Sequence, residues 1–432
     1  MAALIKAAVV QQFIIENIGS HKMNVPEQAS GFVGKFLGKV LIAIVIGLCH
    51  LPVAAAPSNY APQLPAVVHS DFLDVKLAGQ RAVAVGERGH IVYSDDNGES
   101  WTQARVPTTV MLTRLFFITP ETGWAVGHDG NILVTGDGGV NWEIQRHGLS
   151  AQQNINEKNL GRAKERVKDL KVDLKKATGT YAESALREQL DEAEFALEDA
   201  RNVMQDTIYP PPLMDVWFSN EEQGFASGAY GTLLYTANGG RKWLDLSHKV
   251  GNPEQLHLNG IAGDGDGKLC IASEWGMVFR SDDWGESWEQ VETGYEGSFF
   301  GILYNPESDS VFAYGLRGNI YRSTDAGDNW TALESRARAS LFGAAIDSNG
   351  RMTFVGSGGT LTTSTDNGEH FELSMQPNRH GLTGVAQLEN GQLLASGGGG
   401  NQLLSLPDAG ASGAAKSELQ QHGPLPNSTT SD

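Results

Sequence analysis

The chain has 432 residues, 19% of them charged, and a formal net charge of −19 at pH 7. This length is sufficient for one large domain or two ordinary domains with an extensive core. A surface this acidic argues against nucleic acids and anionic membranes as the main partners. The 52 glycines occur in short recurring units, which predicts many tight turns and favours β structure.

The N-terminal segment, residues 1–56, has the three parts of a secretory signal peptide. Lys35 and Lys39 precede the apolar run VLIAIVIGL at 40–48, which is too short to span a bilayer comfortably. Small residues follow the run, so we expect cleavage near Ala55 or Ala56. The mature protein would be exported to the periplasm.

Two alternatives stay open in this segment. The apolar run begins far from Met1, so translation that starts at Met23 would give a signal of ordinary length. Cys49 would carry the lipid of a lipoprotein, but bulky Leu48 stands where a small residue is expected, so this interpretation is the weaker one. Loss of Cys49 with the signal would leave Cys270 as the only cysteine, without an intramolecular disulfide.

Six copies of one short motif, Ser/Thr-x-Asp/Asn-x-Gly-x-x-aromatic, recur along the chain. The acidic or amide positions are Asp96, Asp137, Asn238, Asp283, Asp325 and Asp366. The aromatic positions are Trp101, Trp142, Trp243, Trp288, Trp330 and Phe371. Most copies lie 41 to 45 residues apart, and a G-x-x-G-like turn begins fifteen residues before each aromatic residue. This period is typical of propeller blades built from four short strands.

The repeated motif has three interpretations: a metal loop, a pair of catalytic carboxylates or a structural turn. Asp and Asn side chains tolerate tight turns and bond backbone N–H groups two residues on, and glycine permits positive φ. The aromatic ring would then be buried between neighbouring blades, which stabilises the fold by roughly a few kcal/mol. We therefore interpret the motif as a structural staple.

The units predict an all-β fold, a seven-bladed β-propeller with an inserted α-helical hairpin. Residues 57–150 would form blades 1 and 2, 151–208 the hairpin, 209–406 blades 3 to 7, and 407–432 a disordered tail. The seventh unit lacks the motif and a fourth strand. We expect Pro65–His69 to supply this strand and close the ring, because closure removes exposed sheet edges.

The insertion interrupts the repeat between Trp142 and Trp243. Apolar residues three and four apart run over 160–177 and, after a TGT turn, over 186–204. This double heptad seam predicts an antiparallel coiled coil of two helices, each of about 24 residues and roughly 36 Å. The first helix is net basic and the second net acidic, which suits antiparallel pairing.

The candidate binding face is the rim that carries the G-x-x-G-like turns. The connection between four-stranded blades emerges on this rim, so the hairpin would stand beside the turns. They would display charged and aromatic residues suited to partner contacts. The candidates are Arg88, His128, Asp129, Tyr230, Glu274, Trp275 and Arg317. Alternatively, the aromatics cover the blade below, the arginines are solvated and the hairpin is a self-packed spacer.

The motif copies resemble the Asp-box, or BNR, repeat of sialidases and several other propeller families. Units such as GWAVGHDGNILVTGDGGVNW are more similar to the photosystem II stability/assembly factor family, seven-bladed propellers that bind membrane-protein subunits during complex assembly. This resemblance implies a non-enzymatic scaffold, an assembly or stability factor with membrane-complex subunits as partners. It also implies the thylakoid lumen as the compartment in a photosynthetic host. Arg88 and Arg317 are the counterparts that it implies for the family's basic patch.

Two other functions stay open: a periplasmic accessory of an envelope transporter, and a sialidase-like propeller that binds or hydrolyses glycans. Hydrolysis of that kind needs clustered arginines, a Tyr nucleophile and acidic partners. The inner strands offer charged and Tyr residues only singly, and these are Asp74, Lys76, Arg114, Asp215 and Tyr304.

No metal site and no cofactor is expected. The DGDG sequence at 264–267 lacks the later ligands of a calcium loop and is better explained as a hairpin turn. The eleven histidines show no spacing typical of metal ligands.

Overall fold

The computed structural model of the protein describes residues 59–404. The predicted signal segment at 1–56, with Cys49 and the two candidate start residues, lies outside the described residues. The predicted tail at 407–432 also lies outside them. Among the helices of residues 59–404, none is both long and apolar enough to cross a membrane.

The strands form antiparallel sheets, or blades. Blades 1 and 2 precede a pair of helices, and blade 3 follows it. Blade 1 comprises β1 (Phe72–Ala78), β2 (Arg81–Gly86), β3 (Ile91–Ser94) and β4 (Thr102–Gln103). Blade 2 comprises β5 (Leu112–Phe117), β6 (Gly123–Gly127), β7 (Ile132–Thr135) and β8 (Glu143–Arg146). The helices are α1 (Gly148–Lys176) and α2 (Thr180–Val203). Blade 3 comprises β9 (Leu213–Phe218), β10 (Gln223–Gly228), β11 (Leu233–Ala237) and β12 (Leu244–Asp245).

The remaining four blades follow without interruption. Blade 4 comprises β13 (Leu258–Gly263), β14 (Leu269–Ser273), β15 (Met277–Ser281) and β16 (Glu289–Glu292). Blade 5 comprises β17 (Phe299–Asn305), β18 (Ser310–Gly315), β19 (Ile320–Ser323) and β20 (Thr331–Leu333). Blade 6 comprises β21 (Leu341–Ile346), β22 (Met352–Gly356), β23 (Thr360–Ser364) and β24 (Glu372–Met375). Blade 7 comprises β25 (Leu382–Gln387), β26 (Leu393–Gly397) and β27 (Gln402–Leu404).

The first strands of successive blades contact one another in a closed ring, which returns from β25 to β1. We name the strands of each blade a to d from this innermost strand outward. Thr383 of blade 7 donates a hydrogen bond to the carbonyl oxygen of Phe72 in blade 1 (2.8 Å). Apolar residues of both blades, including Val75 and Leu394, share one buried cluster. The predicted seven-bladed propeller is confirmed.

The prediction that Pro65–His69 supplies the fourth strand of blade 7 is wrong. Val67–His69 forms a 3₁₀ turn, and blade 7 has three strands within the described residues. The chain from His69 to Phe72 can span only about 10 Å. Strand d lies three strand spacings, about 14 Å, from the channel. A residue this close to β1 therefore cannot reach the outer edge, and Val67 packs instead in the cluster at the closure.

The six motif copies form the expected staples. In the first copy, Ser94 Oγ accepts the N–H of Gly98 (2.8 Å) and donates to Asp96 Oδ1 (2.7 Å). Asp96 Oδ1 also accepts the N–H of Ser100 (2.9 Å), four residues on rather than two as expected. The longer reach arises because residues 97 and 98 both have positive φ. The indole of Trp101 donates to the carbonyl oxygen of Gly98 (3.2 Å).

The aromatic residue of each motif packs against the preceding blade. Trp142 of blade 2 lies in a cluster with Val83 of blade 1, and Trp330 of blade 5 lies in a cluster with Val278 of blade 4. Phe371 takes the same place between blades 5 and 6, beside Phe312. These clusters between blades form the core.

The helical hairpin is confirmed, and α1 is longer than expected. Its 29 residues span about 43 Å and the 24 residues of α2 about 36 Å. Leu170 and Leu197 are buried between the two helices. Lys171 of α1 pairs with Glu194 of α2 (Nζ to Oε1, 2.6 Å), as the opposite charges of the helices predict.

Candidate protein-binding face

The turns between strands b and c share one backbone form, in which the third residue of each four-residue turn is left-handed. In five turns this residue is not glycine and has φ between 54° and 58°. The third residues are Arg88, Asp129, Tyr230, Trp275, Arg317, Gly358 and Gly399. Five of the seven predicted candidates therefore occupy equivalent positions, and we call this side of the propeller the b–c rim.

The side chains at these positions project into solvent at an energetic cost. Tyr230 and Trp275 are 62% and 64% exposed, and the Arg88 side chain is 67% exposed. A left-handed conformation costs a non-glycine residue roughly 1–2 kcal/mol. Blades 6 and 7 form the same turn with Gly358 and Gly399, so the turn itself requires no side chain.

Glu274, in the second position of its turn, has a structural contact that the sequence did not indicate. Its Oε2 atom accepts the backbone N–H of His257 (2.9 Å) and lies 3.7 Å from His257 Nδ1. The same Nδ1 atom accepts the N–H of Tyr230 (3.2 Å), and the Tyr230 ring lies edge-on to His257 (5.0 Å between centroids). Glu274 and His257 therefore link the turns of blades 3 and 4 and hold Tyr230 in place.

His128 and Asp129 lie at the base of the helical hairpin. Helix α1 begins at Gly148, whose N–H donates to Asn131 Oδ1 beside this turn (3.2 Å). A Cβ atom on Gly148 would lie 1.9 Å from the carbonyl oxygen of Asp129, so only glycine allows this approach. Arg146, half-buried, donates to the carbonyl oxygen of Gly130; its burial lowers the pKa of its guanidinium. The hairpin therefore stands on the b–c rim, as expected.

The turn that carries Arg317 is supported from blade 4. Tyr295 donates its hydroxyl to the carbonyl oxygen of Leu316 (2.8 Å), and burial raises the pKa of Tyr295 above its ordinary value. The Arg317 N–H lies 3.4 Å from Ser340 Oγ. Arg88 Nε lies 3.9 Å from Oε2 of the half-buried Glu87.

One exposed aromatic residue on this rim was not among the sequence candidates. Tyr209 is 83% exposed and lies three residues before Pro212, whose carbonyl oxygen accepts the N–H of Ala229 in the blade 3 turn (3.0 Å). The stiff run of three prolines after it was the available signal. Tyr209, Tyr230 and Trp275 belong to one side of blades 3 and 4.

The structure corrects the expectation that the charged residues of the inner strands stand singly. Asp74 Oδ1 lies 3.6 Å from Lys76 Nζ and 4.0 Å from Arg114 Nη1. Asp215 and Tyr314 belong to the same group, because both line one cavity with Arg114. Burial alone would lower the pKa of Arg114, but the carboxylates of Asp74 and Asp215 raise it.

Within residues 59–404, no cluster of His, Cys, Asp or Glu has the arrangement of a metal site. The DGDG sequence forms the turn between β13 and β14, where Asp264 Oδ1 accepts the N–H groups of Asp266 (2.7 Å) and Lys268 (3.1 Å). The carboxylate is thus used by the hairpin turn, as expected.

A family model described as Photosynthesis system II assembly factor YCF48 matches residues 203–369, which include blades 3 to 5 and most of blade 6. Over these residues the propeller is similar to the photosystem II assembly-factor family. The resemblance expected from the sequence is therefore confirmed. No curated protein sequence matches the chain significantly.

Several solved structures share the propeller fold of this chain at low sequence identity. The structure of YCF48 bound to D1 peptide has a TM-score of 0.52 and 15% identity, covering 82% of this chain and 97% of that chain. YCF48 from Cyanidioschyzon merolae has a TM-score of 0.50 and 13% identity, covering 80% and 97%. The WD40 β-propeller domain of Doa1 has a TM-score of 0.53 and 10% identity, covering 81% and 96%. At these identities the likeness shows the fold alone.

Proposed function

We propose that this chain is a non-enzymatic, exported protein-binding scaffold that acts as an assembly or stability factor for a membrane-associated complex. The observation that carries the proposal is a row of exposed side chains on residues whose backbone is left-handed. These residues are Arg88, Asp129, Tyr230, Trp275 and Arg317. Strained backbone persists where the surrounding structure holds it in place, and it concentrates at functional sites. Exposed aromatic and arginine side chains are also the residue types that dominate protein interfaces.

A polypeptide segment is the ligand class that we propose for the b–c rim. The match to the assembly-factor family supports this class, and YCF48 itself has been solved with a D1 peptide. The aromatic pair Tyr230 and Trp275 would bury apolar side chains of the segment, and Arg317 in the next blade would pair with its acidic groups. The hairpin would add a wall beside blades 2 and 3.

Site-specific crosslinking in cells tests this assignment. A photo-crosslinking amino acid replaces Trp275 in one variant and Lys242 in the control, because Lys242 is exposed in a turn between strands c and d on the opposite rim. We expect one or a few polypeptides to be captured from position 275 and not from position 242. Identical captured sets, or no capture from position 275, would contradict the proposal. Capture of transporter subunits would favour the accessory role instead.

The role of the hairpin needs a separate experiment. Replacement of residues 152–204 by a short Gly-Ser linker keeps the base at Gly148 and removes most of both helices. We expect the captured polypeptides to bind more weakly while the propeller stays folded. Unchanged capture would show that the hairpin is a self-packed spacer.

Export is proposed from the sequence pattern of residues 1–56. Fusion of this segment to a reporter that is active only outside the cytoplasm tests it, with the apolar run 40–48 replaced by polar residues as control. We expect activity from the first fusion only.

Turnover of a sialyl or other glycoside substrate by the purified protein would contradict the non-enzymatic role.

A further inference from the structure

The central channel contains a cavity of about 440 Å³ that is separate from the b–c rim. This volume lies within the range of small-molecule sites, about 300–1,000 Å³. Its lining includes Leu77, Phe117 and Tyr304, each of which lies near the C-terminal end of the innermost strand of its blade. Strands a start at the b–c rim, where Phe72 pairs with Gly86. The cavity therefore extends toward the opposite rim.

A layer of charge crosses the channel at the inner end of this cavity. A β-bulge follows the first residue of strand a in every blade. The residues after the bulges are Asp74, Arg114, Asp215, Gly260, Gly301, Gly343 and Gly384. Blades 1 to 3 thus contribute charged side chains and blades 4 to 7 contribute none. Arg114 reaches across the channel and donates from Nη2 to the carbonyl oxygen of Phe342 in blade 6 (3.0 Å).

Three of the four carboxylate oxygens of the layer accept backbone N–H groups, and the fourth, Asp74 Oδ1, has no hydrogen-bond partner within residues 59–404 and lies 3.6 Å from Lys76 Nζ. Asp215 accepts the N–H of Val216 at Oδ1 (2.9 Å) and the N–H of Ile261 at Oδ2 (3.0 Å). Asp74 accepts the N–H of Leu115 at Oδ2 (3.0 Å). Burial raises the pKa of Asp215, against the opposing effects of Arg114, these amides and Lys76.

The donors of the layer are only partly used, and Lys76 Nζ lies 3.6 Å from Asp74 Oδ1. The guanidinium of Arg114 makes one hydrogen bond within residues 59–404 and approaches Asp74 only to 4.0 Å. Tyr314 is 4% exposed, and its hydroxyl has no hydrogen-bond partner in that part of the chain. Lys76, with a side chain 36% exposed, also lines the cavity. Donors that converge on a cavity and that the protein uses only in part are available to the acceptor atoms of a ligand.

The walls beyond the charged layer are mainly apolar. Trp217, Ile302 and Leu303 line the cavity together with Lys76 and Arg114. The cavity is therefore amphipathic, with the donors Arg114, Lys76 and Tyr314 and the amide-bound carboxylate of Asp215 at its inner end, and with apolar side chains around its sides. A ligand that matches both parts has an anionic head group and an apolar body.

We propose that this channel cavity binds a carboxylate that carries an apolar group. Arg114, Lys76 and the Tyr314 hydroxyl would bind the carboxylate oxygens, because an arginine fork matches the geometry of a carboxylate. Trp217 and Leu303 would contact the apolar group. A small aliphatic acid and the C-terminus of a polypeptide with apolar final residues share this chemistry. The site is independent of the function proposed for the b–c rim.

Isothermal titration calorimetry on the purified full chain tests the proposal with two matched pairs of probes. The first pair is hexanoate and hexanamide, and the second is Ac-Gly-Ser-Leu-Leu with a free or an amidated C-terminus. We expect the carboxylate member of at least one pair to bind with one-to-one stoichiometry, and its neutral partner to bind at least tenfold more weakly. Binding of hexanoate alone would indicate a small acid, and tighter binding of the peptide acid a polypeptide terminus.

Three variants locate the site. Arg114→Gln and Lys76→Gln should each weaken the carboxylate at least fivefold, whereas Lys242→Gln, on an exposed turn, should leave binding unchanged. Near-ultraviolet circular dichroism verifies folding; if Arg114→Gln does not fold, Lys76→Gln decides because its side chain is the more exposed. The proposal is overturned if neither carboxylate binds at 10 mM, if acid and amide bind equally, or if Arg114→Gln and Lys76→Gln both bind like the unmodified chain.

Discussion

Asp74 in blade 1 accepts the backbone N–H of Leu115 in blade 2, with 3.0 Å between Oδ2 and the nitrogen. Asp215 repeats the contact two blades on, accepting the N–H of Ile261 in blade 4 (3.0 Å). Both carboxylates follow the β-bulge of strand a, so each one joins the innermost strand of its own blade to that of the next. These contacts tie neighbouring blades together at the channel.

Removal of the Asp74 carboxylate should destabilise the propeller strongly. Asp74 is 1% exposed, so Asp74→Ala leaves the Leu115 N–H and the cations Lys76 and Arg114 without their buried partner. Breaking such a pair costs about 3–5 kcal/mol. Asp74→Asn keeps an acceptor oxygen and should cost less. Urea unfolding followed by fluorescence measures the difference.

A surface carboxylate provides the control for this experiment. Asp95 pairs with Arg81 (2.6 Å), but its side chain is 61% exposed. Exposed pairs contribute about 0–1 kcal/mol, so Asp95→Ala should change the free energy of unfolding by no more than that. Equal losses for Asp74→Ala and Asp95→Ala would contradict the tie between blades.

Trp142 should stabilise the fold mainly through burial of its ring, and the hydrogen bond from its indole N–H should add a smaller contribution. Trp142 is 3% exposed, and its Nε1 atom donates to the carbonyl oxygen of Gly139 (3.0 Å). Trp142→Ala should cost about 3–5 kcal/mol. Trp142→Phe should cost less, because Phe371 occupies the same place in blade 6. Urea denaturation measures the free energy of unfolding of both variants. If Trp142→Phe lowers it as much as Trp142→Ala does, ring burial is not the main source of the stabilisation.

The repeated motif makes stability sensitive to acid. The pKa values of the motif carboxylates are lowered, that of Asp96 from 3.8 to about 2, chiefly by the hydrogen bond from the Ser100 side chain. A lowered pKa in the folded state stabilises the fold above the unfolded pKa. This contribution is lost as the pH falls from about 4 to about 2. The urea midpoint should therefore decline across this range.

An Asp283→Asn variant tests the source of that decline. Ser287 donates both its N–H and its hydroxyl to Asp283, and the side-chain hydrogen bond is the largest cause of the lowered pKa. Asparagine keeps the Oδ1 contact, as Asn238 does with the N–H of Lys242 (2.9 Å), but it does not titrate. The variant should be less stable at pH 5, and the difference should shrink toward pH 2. Parallel profiles would exclude this carboxylate as a contributor.

The repeat in the sequence predicted the order of the blades around the ring, but it did not predict which side chains meet inside the channel. Fixed spacing between motifs identified the turns and the four-stranded units, because the motif is a local property of the sequence. Arg114 and Phe342 meet across the channel (3.0 Å), yet they are 228 residues apart and belong to different repeat units. The bulge that places Asp74, Arg114 and Asp215 at one level also has no local sequence signal. The charged layer was therefore not predictable from the sequence.

Cys270 should be inert in the folded protein. It is buried between blades 4 and 5, and burial is the main cause that raises the pKa of its thiol to about 12. The thiolate is the reactive form, so iodoacetamide at pH 8 should not label a Cys49→Ser chain until urea unfolds it. Mass spectrometry measures the labelling. Rapid modification in buffer would contradict the packed position of Cys270.

Glycine at the exposed turn positions should separate binding from stability. Tyr230→Gly and Trp275→Gly remove side chains that are mostly exposed and relieve left-handed backbone, as Gly358 does in blade 6. Each substitution should leave the free energy of unfolding unchanged or raise it by about 1 kcal/mol. Capture of polypeptides by a photo-crosslinking residue placed instead at Arg317 should fall at least fivefold at the same time. Lost stability with intact capture would show that these aromatic side chains cover the blade beneath them and do not contact a partner.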